Sequence, residues 1–175
     1  MLEIKSLYPA DYAGKQFTFR YETKGYYAVL RTENGFDIRY QAFPEARQKA
    51  FTDSFFADWL ENPVAFGVFE DGELIGFVEG ALEAWNNRFR ISNIGLFDCT
   101  KRGAGLGTML MNVILEEARK SGARMVILET QTCNERAIAF YRKHGFDIIG
   151  FDLYAYSNED PERQEVRIEM GRRLR

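Results

Sequence analysis

Polar and hydrophobic residues alternate along the first third of the chain, which is the pattern of β-strands with one buried face. The alternation covers residues 17–21 and 27–31, and it resumes at residues 38–42. Glu33-Asn34-Gly35 lies before the last of these runs and is a typical turn sequence. The pattern therefore predicts an antiparallel meander in this region.

Helical spacing replaces the alternation after residue 43. Pro44 suits the start of a helix, and Asn62-Pro63 suits its end. The positions that share the spacing are Ala46, Ala50, Phe51, Ser54, Phe55 and Trp59. This spacing predicts a helix of about four turns.

The rest of the chain predicts a mixture of strands and helices. Asp71-Gly72 separates two apolar runs and is among the strongest hairpin signals. Ser121-Gly122 offers a left-handed residue at the end of a helix. Strands are expected at residues 65–69, 74–82, 88–97, 125–128, 146–156 and 164–174, and helices at 106–118 and 134–145. This order favours an α+β fold over a regular doubly wound sheet.

Composition is compatible with one soluble domain covering residues 1–175. Hydrophobic residues make up 46% of the chain, enough for a sizeable core. A formal net charge of -3 and a pI near 5.4 argue against nucleic acid as a partner, since phosphate contacts need a basic surplus. No run approaches the ~18 apolar residues of a membrane helix, and the N-terminus has no apolar signal segment. We therefore expect a cytoplasmic protein that contacts no membrane.

Cysteine and histidine are too sparse to predict a metal site. Cys99 and Cys133 are the two cysteines, and neither belongs to a CxxC pair. His144 is the single histidine and precedes Gly145 at a predicted helix end, where a favourable contact with the helix dipole is expected rather than catalysis. The sequence thus predicts no metal and a reducing compartment.

A glycine-rich segment at residues 102–108 joins a predicted strand to the next helix. Its three alternating glycines permit sharp turns and bring backbone N–H groups close to an anion, and the helix dipole favours negative charge there. The segment lacks the lysine of a Walker loop, and its GxGxG spacing differs from the GxGxxG of dinucleotide-binding folds. The segment therefore suits either a phosphate-binding loop or a simple glycine-rich helix cap.

Arg102, Gly105 and Gly107 resemble the Arg-x-x-Gly-x-Gly motif of the GNAT family of acetyl-CoA-dependent N-acetyltransferases. In that family the motif binds the pyrophosphate of coenzyme A. A second motif of the family, N-x-x-A-x-x-F-Y-x-x-x-G-F, is matched in the expected order by Asn134, Ala137, Phe140, Tyr141, Gly145 and Phe146. Further positions resemble the streptothricin acetyltransferase-like subgroup, namely Leu128-Glu129-Thr130-Gln131, Gly150, Asp152, Tyr156-Ser157-Asn158 and Glu165. The detailed resemblance covers residues 88–173.

Helix geometry independently links the residues of the second motif. Asn134 and Tyr141 are seven residues apart and return to nearly the same face after two turns. Ala137 falls on that face as well, and its small side chain would let a slender ligand pass close to the backbone. The alternatives are that Asn134 only caps the helix and that Tyr141 is a core aromatic residue.

The resemblance implies a GNAT-like acyl-CoA N-acyltransferase fold, α+β (mixed α/β three-layer), with a central, mostly antiparallel mixed sheet flanked by helices. It implies acetyl-CoA as cosubstrate, no metal, and direct attack of a primary amine on the thioester without a covalent enzyme intermediate. The implied coenzyme-binding residues are Leu96, Phe97, Arg102, Gly103, Ala104, Gly105, Leu106, Gly107, Thr108, Asn134, Ala137 and Tyr141. The assignment of Leu96 and Phe97 assumes a regular strand, because a bulge would shift the register by one residue. Tyr141 would also act near the thioester sulfur as a hydrogen-bond donor or acid.

The proposed reaction also needs a proton acceptor. A free alkylammonium has a pKa of ~10, so something must take its proton. The strand position that is often acidic in relatives is here Ser92-Asn93. Four carboxylates lie near the predicted centre of the sheet: Glu79, Glu83, Asp98 and Glu129. We take Glu129 as the catalytic candidate, with a strand-end carboxylate paired to a cation as its alternative role.

The subgroup resemblance predicts a small cationic amine of the streptothricin kind as acceptor, and hence a role in antibiotic modification. Two other functions stay open. One is acetylation of a protein or peptide N-terminus with the same coenzyme. The other is an acyl-CoA-binding regulatory module without turnover, suggested by the lack of an obvious base. A homodimer is compatible with the sequence, which does not fix the oligomeric state.

Overall fold

The computed structural model describes residues 1–174, apart from the side chain of Cys99, so the expectation for the Cys99 thiol lies outside the described residues. A 3₁₀ turn at Cys99–Lys101 precedes the glycine-rich segment. The strands and helices in chain order are β1 (Leu2–Leu7), α1 (Pro9–Tyr12), β2 (Gln16–Thr32), β3 (Gly35–Ser54), β4 (Val64–Glu70), β5 (Glu73–Glu83), β6 (Arg88–Leu96), α2 (Leu106–Lys120), β7 (Met125–Gln131), α3 (Glu135–Lys143), β8 (Asp147–Asp152), α4 (Asp160–Arg163) and β9 (Arg167–Arg173). The expected α+β class with a mixed, mostly antiparallel sheet is confirmed.

The chain divides into two compact units. The first contains Met1–Arg20, Ala50–Ile127 and the residues from Arg173, and the second contains Tyr21–Lys49 and Leu128–Arg172. Strand β7 contributes residues to both. The strand order is β1-β4-β5-β6-β7 in the first unit and β7-β9-β8 in the second.

The first unit is built on antiparallel pairs of β1 with β4, β4 with β5 and β5 with β6. The predicted hairpin between β4 and β5 is confirmed, with Asp71 and Gly72 both at positive φ as a two-residue turn requires. Helix α2 packs against β4, β5 and β6. Its fully buried residues are Leu110, Met111, Ile114 and Ala118. They form an apolar face of the helix that packs against the sheet.

An aromatic cluster forms a second core region of the first unit. It contains Phe17, Phe55, Phe56 and Phe77, with Phe19 and Phe97 packed against it. Aromatic residues of β2, of β5 and of the segment that follows β3 therefore belong to the core. Other rings of the same region are exposed, among them Phe51 and Trp59.

The second unit pairs β8 with β9 in antiparallel fashion. Helix α3 contributes Ile138 and Tyr141 to its interior. Ile168 and Met170 of β9 are fully buried as well. The alternation of buried and half-buried residues in β9 is that of a strand with one covered face.

The predicted helix at residues 44–63 is wrong, because β3 runs as a strand from Gly35 to Ser54. The predicted meander is wrong in strand number, since β2 continues without a break from Gln16 to Thr32. The turn at Glu33-Asn34 is confirmed between them. The spacing of Ala46 to Trp59 was therefore coincidental, and pairing of β3 with β2 overrode local propensity. Pro44 is tolerated because a two-stranded sheet leaves one edge of each strand unpaired.

The strand predicted at residues 146–156 is shorter than expected. Strand β8 ends at Asp152, and the chain then turns into α4. The Asp160 carboxylate accepts hydrogen bonds from the Tyr156 N–H at 2.8 Å and the Ser157 hydroxyl at 2.6 Å. These bonds hold residues 156–160 in a local turn instead of an extension of the β8 strand.

Candidate active site

The glycine-rich segment forms an exposed loop at the start of α2. Gly103 and Gly105 have φ values of 88° and 82°, a conformation that residues with a side chain seldom adopt. A β-carbon built at either position would meet no atom within 4 Å. The space above the loop is therefore open to a ligand.

Helix α2 begins at this loop, so the positive end of its dipole lies there. Gly105 is the N-cap, and among the described residues no side chain caps the helix. The backbone N–H groups of the first turn, at Leu106, Gly107 and Thr108, have no intrahelical acceptor in an α-helix. An uncapped 15-residue helix behind an open glycine loop fits a diphosphate group well.

Arg102 lies at the edge of this loop. Its Nη2 donates a hydrogen bond to the Arg20 carbonyl oxygen at 2.6 Å. That bond uses one of the five N–H donors of a guanidinium and fixes the side chain to β2. The cation is thus held beside the loop, where it can contribute charge to anion binding.

Strand β6 contains a bulge before it reaches the loop. The β5–β6 register shifts between Glu79 and Gly80, whose partners are Asn93 and Ile91, so Ser92 is an extra residue in β6. The Phe97 N–H donates to the Ile75 carbonyl at 3.0 Å. Because N–H directions alternate along a strand, the Leu96 N–H points to the other side of β6.

The aromatic cluster packs closely on the same strand. Phe19 stacks on Phe97 at a centroid distance of 5.7 Å. A β-carbon at Gly95 would lie 2.7 Å from the Phe19 ring, so this position accepts only glycine without rearrangement. Leu96 is buried and Phe97 half-buried.

Glu79 is a fully buried carboxylate in the middle of β5. It accepts hydrogen bonds from the Phe56 N–H at 2.7 Å and from the Ser92 hydroxyl at 2.9 Å. Burial raises the pKa of this carboxyl group, and the hydrogen bonds from Phe56, Ser92 and Asn93 oppose that rise. An acidic residue inside the apolar run at 74–82 was visible in the sequence, but nothing there distinguished it from the other three carboxylates.

In the second unit, Asn134 is the N-cap of α3. Its side-chain oxygen accepts from the Ala137 N–H at 3.4 Å. The N-cap role considered in the sequence is therefore confirmed, and it occupies the oxygen but not the NH₂ group of the amide. Asn134 and Ala137 are half-buried.

Tyr141 is buried on α3 at 7% exposure, between the rings of Phe140 and Phe146. Desolvation raises the pKa of its hydroxyl to about 12. The phenol is therefore neutral at physiological pH and can donate a hydrogen bond.

Glu129 is exposed near the end of β7. Its carboxylate lies 3.6 Å from Nη1 of Arg167, whose Nη2 lies 3.8 Å from Asp152. This pairing matches the alternative role considered for Glu129. His144 has its Nδ1 2.9 Å from the Phe140 carbonyl oxygen, a contact at the end of α3 that fits a structural role.

The structure thus groups the predicted residues by unit. Leu96, Phe97 and the loop residues 102–108 lie in the first unit, and Glu129, Asn134, Ala137 and Tyr141 lie in the second. Among the described residues, no group of three or more acidic, cysteine or histidine side chains could hold a metal ion. None of the helices in the described part of the chain is long and apolar enough to cross a membrane.

Comparison with known proteins adds independent information. A sequence model of the Acetyltransferase (GNAT) family matches residues 32–146. The streptothricin acetyltransferase of Streptomyces lavendulae is 29% identical over 173 residues, covering 94% of this chain and 91% of that protein. The crystal structure of nourseothricin acetyltransferase superposes with a TM-score of 0.77 at 28% identity and covers 99% of both chains.

A different member of the same fold covers less of the chain. The ribosomal-protein-S18-alanine N-acetyltransferase from Escherichia coli superposes with a TM-score of 0.55 at 24% identity. That superposition covers 65% of this chain and 70% of the other. The superposition with nourseothricin acetyltransferase therefore covers more of this chain than the superposition with this fold neighbour does.

Proposed function

The chain belongs to the acetyltransferase (GNAT) family and is an acetyl-CoA-dependent N-acetyltransferase, and we propose that its acceptor is a primary amine of a streptothricin-type antibiotic. One observation carries this proposal: the likeness to a streptothricin acetyltransferase and to nourseothricin acetyltransferase extends over 94% and 99% of the chain. Protein N-terminal acetylation is less well supported, because the similarity to N-alpha-acetyltransferase 50 of Danio rerio, at 30% identity, covers 67% of the chain.

We propose that the loop residues 102–108 bind the diphosphate of the coenzyme through backbone N–H groups and Arg102. The open space at Gly103 and Gly105 and the uncapped α2 support this role. Acetyl-CoA supplies the activated acetyl group. Leu96 and Phe97 in the first unit, and Asn134 and Ala137 in the second, stay sequence predictions for contact with the pantetheine arm.

Tyr141 is proposed to donate a hydrogen bond to the leaving sulfur. A pKa of about 12 lies roughly 3.5 units above the ~8.5 of a thiol, so full proton transfer to the thiolate would cost about 5 kcal/mol. A hydrogen bond stabilises the developing charge without that cost. Of the two roles considered for Tyr141, we therefore favour the donor over the acid.

Glu129 remains the proton acceptor predicted from the sequence. Its exposure and its proximity to Arg167 suit an ion pair at a strand end at least as well. A cytoplasmic location and assembly as a homodimer also belong to this proposal.

The proposed function is tested by incubating the purified chain with acetyl-CoA and streptothricin. We expect release of free thiol and a mass gain of one acetyl group on the antibiotic. A peptide with a free N-terminal amine serves as the alternative acceptor in the same assay. Streptothricin whose amines have been chemically blocked is the matched control.

Acetylation of the peptide without acetylation of streptothricin would indicate that the chain is an N-terminal acetyltransferase instead. Saturable binding of acetyl-CoA without turnover on any amine would indicate a regulatory module instead.

A further inference from the structure

Two irregular stretches of backbone in the first unit meet at the carboxylate of Glu79. One is Phe56, whose φ of 53° is unusual for an aromatic residue and whose N–H donates to Glu79 at 2.7 Å. The other is the bulge in β6, where the Ser92 hydroxyl donates to Glu79 Oε1 at 2.9 Å. The Ser92 hydroxyl also lies 3.2 Å from the Glu79 carbonyl oxygen. A fully buried carboxylate is therefore connected to a half-buried hydroxyl.

The position of Ser92 along β6 relates this pair to the coenzyme site. Ser92 precedes Gly95 by three residues, which is about 10 Å of extended strand. Strand β6 ends just after Gly95, at Leu96, and the chain then passes through the 3₁₀ turn at Cys99–Lys101 to the glycine loop that is proposed to bind the diphosphate. A coenzyme lying along β6 with its diphosphate at the loop would therefore direct its acyl end toward Ser92.

We propose that Glu79, acting through the Ser92 hydroxyl, takes up the proton that the acceptor ammonium loses before it attacks the thioester. This inference rests on the proposed N-acetyltransferase function and supplies the base that β6 itself lacks. Ser92 is the catalytic residue of the pair, because it would touch the amine. Glu79 is a positioning residue that orients and polarises the hydroxyl and holds the proton.

The proton balance of the step is complete. An N–H bond of the ammonium breaks and its proton passes to Ser92 Oγ, while the Ser92 hydroxyl proton moves to Glu79 Oε1. The nitrogen keeps the electron pair and uses it for the new bond to the acetyl carbon. When the C–S bond breaks, its electron pair stays on sulfur, and the second proton that the nitrogen must lose passes to that sulfur and gives the free thiol. Glu79 releases the first proton to solvent through the Ser92 hydroxyl once the products have left.

The surroundings of Glu79 suit proton uptake. Burial raises the pKa of its carboxyl group, which makes the carboxylate a better acceptor than an exposed one. Asp53, at the end of β3, acts in the same direction through its negative charge. The groups from β6 and from the Phe56 turn are the neutral Ser92 and Asn93 side chains and a backbone N–H. Their hydrogen bonds stabilise the carboxylate form of Glu79 and oppose the rise in its pKa.

The test compares E79Q, S92A, the double variant and E83Q on the amine that the wild-type chain acetylates. E79Q and S92A are each expected to lower kcat/KM for the amine about 100-fold at neutral pH, within the range of general base catalysis. The double variant should lose no more than either single variant, because both changes interrupt one relay. The KM for acetyl-CoA should stay within about twofold.

The pH profile gives the readout that a structural role would not move. In the wild type the rate should rise as Glu79 loses its proton and then level off. In E79Q that limb should disappear. The rate should then rise with pH until the pH approaches the pKa of a free amine, ~10. E83Q is the matched control: it lies four residues further along β5, where its carboxylate binds Arg88 and Arg90, and it should keep the wild-type profile.

Three results would overturn the relay: a wild-type profile in E79Q, losses that add in the double variant, or removal of the acidic limb by E129Q while E79Q retains it. A raised KM for acetyl-CoA together with a lower melting temperature in E79Q would reduce Glu79 to a structural part of the bulge. The acceptor proposal fails separately. If streptothricin is not acetylated but another primary amine is, the same variants on that amine still decide the relay, and a chain that acetylates no amine overturns both.

Discussion

At the scale of single residues, Tyr141 shows how burial selects a chemical role. Its ring is enclosed by apolar neighbours, and desolvation raises the pKa of the hydroxyl to about 12. We expect Y141F to lower kcat about 100-fold, since removing one donor to a developing charge typically costs this much. The dissociation constant for acetyl-CoA should change less than twofold, as measured by calorimetry.

Tyr154 provides the matched control for that prediction. It is half-exposed between β8 and α4, and Y154F removes the same hydroxyl from a position outside the proposed site. Y154F should leave kcat unchanged. A Y141F variant that weakens coenzyme binding while keeping kcat would contradict the donor role.

The residues of the candidate site differ in how far sequence could predict them. Asn134 was predicted as an N-cap from its residue type and the spacing that follows it, which are local properties. Glu79 could not be chosen over Glu129, because its importance depends on Ser92 and Phe56, which are 13 and 23 residues away in the chain. Burial and hydrogen bonding between strands have no local signature in the sequence.

At the scale of elements, the loop before α2 depends on backbone conformation. Gly105 has a φ of 82°, and a β-carbon there would project into open space. We expect G105A to lower the free energy of unfolding by about 1 kcal/mol, the typical cost of placing a side chain in this conformation. The added methyl group would also meet the diphosphate, so the dissociation constant for acetyl-CoA should rise at least about tenfold. Thermal unfolding and calorimetry measure the two effects.

Gly14 provides a control that separates the loss of stability from the loss of coenzyme affinity. It has the same backbone conformation as Gly105 but lies outside the glycine loop. Its φ is 76°, a β-carbon there also meets no atom within 4 Å, and it lies after α1. G14A should lower stability by a similar amount and leave coenzyme affinity intact. If G14A and G105A bind acetyl-CoA with equal affinity, the proposed role of the loop in coenzyme binding is wrong.

The long β2 and β3 strands show the limit of element prediction. In the second unit, Tyr26 of β2 donates from its hydroxyl to Gln41 of β3 at 2.7 Å, and Glu135 of α3 accepts from the Lys24 N–H at 2.6 Å and the Tyr40 hydroxyl at 2.7 Å. These contacts join residues 15 to 111 positions apart. A strand stabilised by distant partners does not need a strong local pattern, and the helical spacing after Pro44 was therefore misleading.

At the scale of the whole molecule, prediction of the elements succeeded best from β4 to α3. Residues 88–146 contain β6, the loop, α2, β7 and α3, and each of these was predicted with ends shifted by a few residues. The same stretch lies within the range that the family model matches. The N-terminal part lacks both a motif and a strict period, and there the strand number and one helix were predicted wrongly.

Coenzyme binding should also be visible in the stability of the whole chain. A ligand that binds the folded state at 100 times its dissociation constant adds about 2.7 kcal/mol to the free energy of unfolding, which for a chain of this size raises Tm by roughly 5–10 °C. We expect this shift with acetyl-CoA and with CoA, measured by differential scanning fluorimetry. Pantetheine at the same concentration should give a much smaller shift, because it lacks the diphosphate that the loop is proposed to hold. A pantetheine shift equal to that of CoA would mean that binding comes from the arm alone, and the open glycine loop would then need another ligand.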